Sequence, residues 1–283
     1  MALLGAQFVL ALEPSSVAGA LVSRGLGSTR VRSVARVPLA PGALEVSAFE
    51  PNLRRPDEVR AALVQLVSTL GAGSTAACVV LPDGLARLAL LDVPADAAPD
   101  RYARFRLMGS LPYPAEEALV DVLPLGGARV LAAAVRRSVV QAYEAVVRAA
   151  GIEQDRVDLA PLAALAGLRR DAPAAPPLTV DVVLGEAAVS LAARDGARIT
   201  AFRNRLRDSG AGEGERLGLE VERTAILAGD GAAPPRARVL GVGAAALVRE
   251  WRAAGRAADL GWSVPAPEAV ETAEMAWLGA ALA

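Results

Sequence analysis

Apolar and polar residues alternate near the start of the chain in a way that predicts three consecutive strands. The strands are predicted at residues 7–12, 17–23 and 30–39, with a Pro-Ser-Ser turn after the first. A helix is predicted at residues 56–70, because a Pro-Asp pair begins it and its apolar residues recur at helical spacing. The chain therefore opens with a three-stranded meander followed by a helix.

The remainder of the first half alternates between short apolar strands and amphipathic helices. Gly151 follows one of these helices at the position where glycine commonly ends a helix. The predicted strands are at residues 78–81, 87–93 and 129–135. The predicted helices are at residues 96–109, 138–150 and 161–170.

A proline-rich stretch at residues 171–177, Asp-Ala-Pro-Ala-Ala-Pro-Pro, is the strongest candidate for a linker. After it the pattern restarts with a second three-stranded meander. The later strands are predicted at residues 178–184, 187–193, 197–203 and 238–240, and the later helices at 212–229, 244–254 and 268–282. The repeated order of elements predicts two similar α/β lobes that face a cleft.

The composition excludes several kinds of chemistry. The 283 residues include no histidine and no lysine, and Cys78 is the only cysteine. Without an imidazole, an ammonium side chain or a second thiol, the chain cannot form a Ser-His-Asp or Cys-His catalyst, a Walker P-loop, a Schiff base or a disulfide. A structural zinc site is excluded for the same reason. Carboxylate, hydroxyl, arginine or backbone chemistry remains, or no catalysis at all.

The charge balance and the hydropathy predict the compartment. The 30 basic and 31 acidic residues give a net charge of -1, so no basic excess indicates a nucleic acid partner. The apolar residues 1–12 lack a positively charged start, and no run of about 18 uncharged apolar residues occurs. We therefore expect a cytoplasmic protein that neither binds nucleic acid nor inserts directly into a membrane.

The duplicated βββαβα layout is typical of the superfamily of actin, hexokinase and the heat-shock ATPases. Within it, the sequence Leu-Pro-Tyr-Pro-Ala-Glu-Glu at residues 111–117, with Asp121 after it, resembles the signature of the actin-like pilus-assembly family PilM. Further similarity to that family covers most of the chain, at residues 130–136, 143–144, 150–152, 157–158, 163–168, 218–228, 240–245 and 276–283.

The resemblance implies an actin-like (ribonuclease H-like) α/β fold of two lobes. The first lobe is expected at residues 1–170, with an inserted peptide-binding subdomain at about 84–135, and a shortened second lobe at 178–283. It also implies a cytoplasmic adaptor of a type IV pilus or related secretion machine. Such proteins hold the cytoplasmic tail of a bitopic PilN-type membrane protein in a groove on the first lobe, which places them at the inner membrane. They connect this partner to a motor ATPase.

Members of the superfamily bind ATP with a metal ion between the lobes, and the first loop expected to hold phosphate is altered here. It is Glu13-Pro14-Ser15-Ser16, which keeps an acidic residue but lacks the expected glycine. Pro14 also removes a backbone N–H donor. Ser15 and Ser16 remain able to contact phosphate, although Pro-Ser-Ser is equally an ordinary hairpin turn.

The second phosphate loop is altered as well. It begins at Asp181, but Val183 occupies the glycine position, where a branched side chain would meet the phosphate. Glu186 adds a repelling carboxylate, whereas Gly185 would restore room if the turn were shifted by two residues. The alternative for Asp181 is that it only begins a pair of strands.

The adenosine loop is expected at Gly241 and Gly243, although a lone Gly-x-Gly before a helix is as typical of a tight turn. Only residues 229–237 separate the preceding helix from this strand, so a lid over the adenosine is expected to be missing. The losses predict a non-catalytic protein with no cofactor and no metal, and ATP–Mg²⁺ binding by an ATPase, a kinase-like enzyme or a polymer-forming relative is the alternative. The candidate nucleotide-binding residues are Glu13, Ser15, Ser16, Asp181, Gly185, Gly241 and Gly243.

The Leu-Pro-Tyr-Pro segment is the candidate docking surface for a partner peptide. Its two prolines stiffen the loop, which lowers the entropy cost of binding an extended peptide. We expect Tyr113→Ala and Leu111→Asp to weaken this binding without unfolding the protein, whereas the alternative is that the same side chains pack the loop down. The candidate partner-binding residues are Phe105, Met108, Leu111, Pro112, Tyr113 and Pro114.

Overall fold

The structure is a computed structural model that describes residues 6–25, 28–72, 76–170, 178–196, 198–207, 210–229 and 236–255. Within these ranges the chain forms three sheets and six α-helices. No helix in the described ranges is long and apolar enough to span a membrane.

The first sheet has five strands. They are β1 (Ala6–Glu13), β2 (Ser16–Gly25), β3 (Ser28–Pro38), β4 (Ala77–Leu81) and β8 (Gln154–Leu159). Their order in the sheet is β3-β2-β1-β4-β8. The antiparallel meander β1–β3 continues into β4 and β8, which run parallel to β1. β8 is therefore an outer strand of this sheet.

Helices cover both faces of the first sheet, because its inner strands β1 and β4 are apolar on both sides. They are α1 (Pro56–Leu70), α3 (Arg137–Ala149) and α4 (Ala160–Arg170). Alternate residues of β1 point to opposite faces. Leu10 belongs to the main core with residues of α1 and α3, whereas Val9 belongs to a separate cluster that includes Ala163 of α4.

A small sheet is inserted between β4 and β8. Its strands are β5 (Ala86–Asp92), β6 (Ala118–Gly126) and β7 (Arg129–Arg136), in the order β5-β7-β6. Helix α2 (Pro99–Met108) packs on one face, where Ala103 and Leu107 form a cluster with Ala132 and Ala134. β6 is therefore an outer strand of this sheet.

The second half of the chain forms a four-stranded sheet. Its strands are β9 (Thr179–Leu184), β10 (Ala188–Asp195), β11 (Arg198–Leu206) and β12 (Arg236–Gly241), in the order β11-β10-β9-β12. Helices α5 (Glu213–Ala228) and α6 (Ala244–Ala253) cover one face, and Trp251 of α6 lies against Gly218 of α5. A side chain at Gly218 would overlap the indole, because its Cβ would lie 2.4 Å from Trp251 Nε1.

The predicted α/β layout of two βββαβα units is confirmed, but β6 and β8 were not predicted. Both are outer strands with polar positions. β8 has the sequence Gln-Asp-Arg-Val-Asp-Leu, of which only Leu159 is buried. The linker at 171–177 and the helix predicted at 268–282 lie outside the described residues. The lobe boundaries therefore stay predictions.

Candidate functional site

Two hairpin turns, one from each half of the chain, meet between the lobes. The first is the β1–β2 turn, and the second lies between β9 and β10 at residues 185–187. The Ser15 backbone N–H donates to one oxygen of Glu186 at 2.9 Å, and the Ser15 hydroxyl donates to the other at 2.5 Å. The Glu186 carboxylate therefore occupies two of the donors that a phosphate oxygen would need at the first hairpin.

Asp83, in the turn after β4, adds another carboxyl group to this junction. It is buried, and its Oδ2 has no hydrogen-bond partner among the described residues. A Cβ at Gly185 would lie 2.3 Å from either carboxyl oxygen, so only glycine fits there. The pKa of Asp83 is raised to about 7, chiefly by burial and also by the charge of Glu13, while a hydrogen bond from the Ala188 backbone and the charge of Arg207 oppose the shift.

The space left between the two hairpins is too small for a nucleotide. The cavity lined by Glu13, Pro14, Asp83, Gly185 and Glu186 measures about 20 Å³. That volume accommodates roughly one water molecule, whereas ligand pockets usually measure about 300–1,000 Å³. Carboxylates from both halves of the chain line it, so the junction is also electrostatically unfavourable for phosphate.

The two other predicted residues of the first hairpin are used locally. The Ser16 hydroxyl is buried and lies 3.5 Å from the Glu13 carboxylate. That carboxylate also lies 3.6 Å from the Arg36 guanidinium of β3. Glu13 and Ser16 therefore make contacts within their own sheet.

Asp181 lies elsewhere. It is completely buried in the middle of β9, where it forms ion pairs with Arg194 of β10 and with Arg238 of β12, the latter at 2.6 Å. Arg238 also donates to the carbonyl of Leu168 in α4 at 3.1 Å. The described structure therefore gives Asp181 a structural environment and does not bring it to the junction of the hairpins.

Val183 does not obstruct the junction either, contrary to expectation. It is a buried strand residue paired with Ser190 and Leu240, and the turn begins two residues later at Gly185. The turn is therefore shifted by two residues to Gly185, which is the alternative that the sequence allowed. The groups that fill the junction are the carboxyls of Asp83 and Glu186.

The Gly-rich loop after β12 is held tightly against the second hairpin. Gly241 has φ +108°, and a Cβ there would lie 2.0 Å from the Leu184 carbonyl oxygen, so a side chain cannot be accommodated. Gly243 has φ +72° and directly precedes α6. The Arg207 guanidinium donates to the carbonyls of Gly185 and Val242 at 2.8 and 2.9 Å. These contacts agree with a tight structural turn.

The predicted docking segment divides into exposed and buried residues. Phe105 and Met108 of α2 are 68% and 47% exposed, and Pro112 and Pro114 are also exposed. Tyr113 is only 9% exposed, and burial raises its pKa to about 12. Leu111 is half-buried against the cluster of α2. Tyr113 therefore does not project from the loop as expected, because the segment packs this ring inward.

The first lobe does carry a groove, but not at the predicted docking segment. It has a volume of about 620 Å³ and lies between the inserted sheet and the edge formed by α3, β8 and α4. Its lining includes Arg104 but none of the predicted partner-binding residues. The lining residues are Leu81, Arg104, Leu119, Val120, Asp121, Val122, Leu123, Leu131, Ala133, Val135, Val140, Glu144, Arg156, Val157, Asp158, Leu159, Leu162 and Ala166.

The position of the groove was not predicted because two of its walls are β6 and β8, the strands that were not predicted. β6 and β8 supply nine of the lining residues, in two uninterrupted runs at residues 119–123 and 156–159. The available signal was the polar–apolar alternation of residues 156–159, which is weak because it covers only four residues.

No protein-family model matches the sequence, and no curated protein matches it significantly. Solved structures do match. The PilM–PilN type IV pilus biogenesis complex is 21% identical with a TM-score of 0.73, covering 98% of this chain and 97% of that chain.

A Bacteroides thetaiotaomicron protein of unknown function with an actin-like ATPase fold is 8% identical with a TM-score of 0.65, covering 96% of this chain and 95% of that chain. The cytoplasmic domain of EpsL, an inner membrane component of the Vibrio cholerae type II secretion system, is 14% identical with a TM-score of 0.54, covering 83% and 82%. This protein therefore has the actin-like ATPase fold, as its duplicated sequence pattern predicted.

Proposed function

We propose that the protein is a non-catalytic adaptor of a type IV pilus or related secretion machine. In this role it binds the cytoplasmic tail of a PilN-type bitopic membrane protein and is held at the inner membrane by that partner. The observation that carries the proposal is the open groove on the first lobe, whose apolar walls suit an extended peptide. The structural similarity to PilM in a PilM–PilN complex supports the choice of partner. A motor ATPase is a further predicted partner.

The filled junction between the lobes supports the absence of catalysis. A nucleotide would have to displace the Glu186 carboxylate from Ser15 and place its phosphates beside Glu13 and Asp83. Each step costs free energy, because it breaks charge-assisted hydrogen bonds or brings like charges together. No observation in the described residues favours a kinase or a polymer-forming ATPase over the adaptor.

Filling the groove is expected to abolish recognition of the partner. Ala166 of α4 lines the groove and is half-buried, so Ala166→Arg places a long side chain in it while keeping a good helix former. We expect the affinity for a synthetic peptide of the partner's cytoplasmic tail, measured by isothermal titration calorimetry, to fall at least about tenfold, or ~1.4 kcal/mol.

Phe105→Ser is the matched control, because Phe105 belongs to the predicted partner-binding residues, is 68% exposed and does not line the groove. Its affinity should stay within about twofold of the unmodified chain, a difference well below 1 kcal/mol. The reverse result, loss of binding in Phe105→Ser alone, would move the binding site to α2 and disprove the proposed groove.

Magnesium ATP is expected to leave the melting temperature of the protein unchanged, because binding to the folded state would raise it. A clear rise in melting temperature with magnesium ATP would contradict the filled junction.

Glu186→Ala is expected to lower the free energy of unfolding by about 1–2 kcal/mol, since it removes two hydrogen bonds to a carboxylate. Glu215→Ala, an exposed position at the start of α5, is the control for loss of an acidic side chain.

A further inference from the structure

The groove is a slot between two strand edges. β6 is the outer strand of the inserted sheet, and β8 is the outer strand of the five-stranded sheet. Consecutive residues of each strand, 119–123 and 156–159, line the groove. Because successive side chains of a strand point to opposite faces, a cavity that contacts consecutive residues runs along the edge of that strand. Backbone groups on that edge are available to a further strand.

On each edge, one backbone N–H group donates to an aspartate side chain instead of to a neighbouring strand. The Val122 N–H of β6 donates to Asp121 Oδ1 at 2.8 Å, and the Leu159 N–H of β8 donates to Asp158 Oδ1 at 2.8 Å. Local side-chain bonds of this kind are an alternative to strand pairing for the same backbone donor. An incoming backbone carbonyl can therefore accept from these N–H groups and release the two carboxylates.

The charges around the slot favour a basic ligand. Three carboxylates and two guanidinium groups line it. Both guanidinium groups are engaged, since Arg104 donates to the carbonyls of Ala115 and Ala118 at 3.4 Å and Arg156 lies 3.9 Å from Asp158. Ion pairs do not involve Asp121 or Glu144 anywhere in the described ranges.

The charge of Asp121 also acts on Asp158. Burial raises the pKa of Asp158, and the negative charge of Asp121 raises it further, while Arg156 opposes the shift. A cation between the two carboxylates would relieve this repulsion. It would also give the carboxylates a new partner when the added strand takes their backbone N–H donors.

We propose that the groove binds its partner as an added β-strand, and that it selects an extended segment with a basic side chain placed between Asp121 and Asp158. The alternate side chains of this segment pack on the apolar walls, which include Leu131, Val140 and Leu162. This inference rests on the proposed function and specifies the chemistry of the bound peptide.

The probe is a phage-displayed library of random-sequence peptides, selected on the full chain and counter-selected on Ala166→Arg to retain groove-dependent binders. Enrichment of one arginine or lysine flanked by apolar residues at every second position is expected. Groove-dependent binders that carry no basic residue would overturn the inference while leaving the proposed function intact. A selection without any groove-dependent binder would overturn both.

Two pairs of variants then test the mechanism on a selected peptide. Val122→Pro removes an N–H that lies outside the strand ladder, a position where an edge strand tolerates proline, and Val122→Ala keeps it. We expect Val122→Pro to weaken binding at least about tenfold and Val122→Ala by less than about threefold. Equal affinities of the two variants, with both folded by circular dichroism, would exclude strand addition at β6.

The combined variant Asp121→Asn and Asp158→Asn tests the basic side chain. It is expected to weaken the selected peptide at least about tenfold, but to leave unchanged an analogue in which methionine replaces the basic residue. Because both peptides meet the same protein, a general loss of structure would weaken both alike. Equal losses for the two peptides would overturn the assigned role of the carboxylates.

Discussion

Replacement of Asp181 by alanine is expected to lower the free energy of unfolding by about 3–5 kcal/mol. Asp181 is fully buried and neutralises two guanidinium groups, those of Arg194 and Arg238. Arg194 is itself only 1% exposed, so alanine at position 181 leaves a buried cation without a counter-charge. The loss can be measured by urea denaturation followed by circular dichroism.

Asp195→Ala is the matched control for Asp181→Ala, because Asp195 is an exposed aspartate at the end of the neighbouring strand β10. It should change the free energy of unfolding by no more than about 0.5 kcal/mol. A loss below about 1 kcal/mol in Asp181→Ala would show that the two arginines don't depend on this carboxylate. That outcome would contradict the structural role of Asp181 and favour the predicted nucleotide-binding role instead.

Asp83→Asn is expected to stabilise the protein at pH 8 by about 2–4 kcal/mol and to have little effect at pH 4. Burial raises the pKa of Asp83 from 3.8 to about 7, so the folded protein retains a proton that the unfolded chain releases between these values. The stabilisation from the protonated carboxyl is thus complete below the unfolded pKa and is lost as the pH rises through 7. Asparagine carries no charge at any of these pH values.

The measurement is the free energy of unfolding of both proteins across this pH range, under identical salt. Asp57→Asn serves as the control, because the Asp57 side chain is 94% exposed at the start of α1. Its stability should follow the pH profile of the unmodified chain. Parallel profiles for Asp83→Asn and the unmodified chain would mean that Asp83 is ionised at neutral pH in the folded protein.

The strands and helices that were predicted correctly share strong local patterns. Helix α1 begins at Pro56 and ends at Leu70, as predicted, since proline at the first turn and Gly71 in the left-handed conformation mark its two ends. The inner strands of the two meanders, β1, β2, β9 and β10, are buried on both faces. β6 and β8 lack this signal, because outer strands keep polar residues on their exposed positions.

The structure brings only some of the predicted nucleotide-binding residues close together. Glu13 and Gly185 do line the same small cavity at the junction of the lobes, because each lies where a hairpin of its sheet turns. Glu186 was expected to repel phosphate, and the structure shows in addition that it accepts two hydrogen bonds from Ser15. The contribution of Asp83 could not be predicted, because its burial depends on Gly185, a hundred residues away in the other lobe.

The sequence by itself determined the order of most elements (all strands except β6 and β8), the duplication of the βββαβα unit and the chemistries that a chain without histidine and lysine excludes. These features depend on local periodicity and composition, which are written in neighbouring residues. Only the tertiary structure decided that a carboxylate fills the junction of the hairpins and that a groove opens between β6 and β8. Both arise where distant segments meet, and the side chains that line such contacts carry no local signal of their partners.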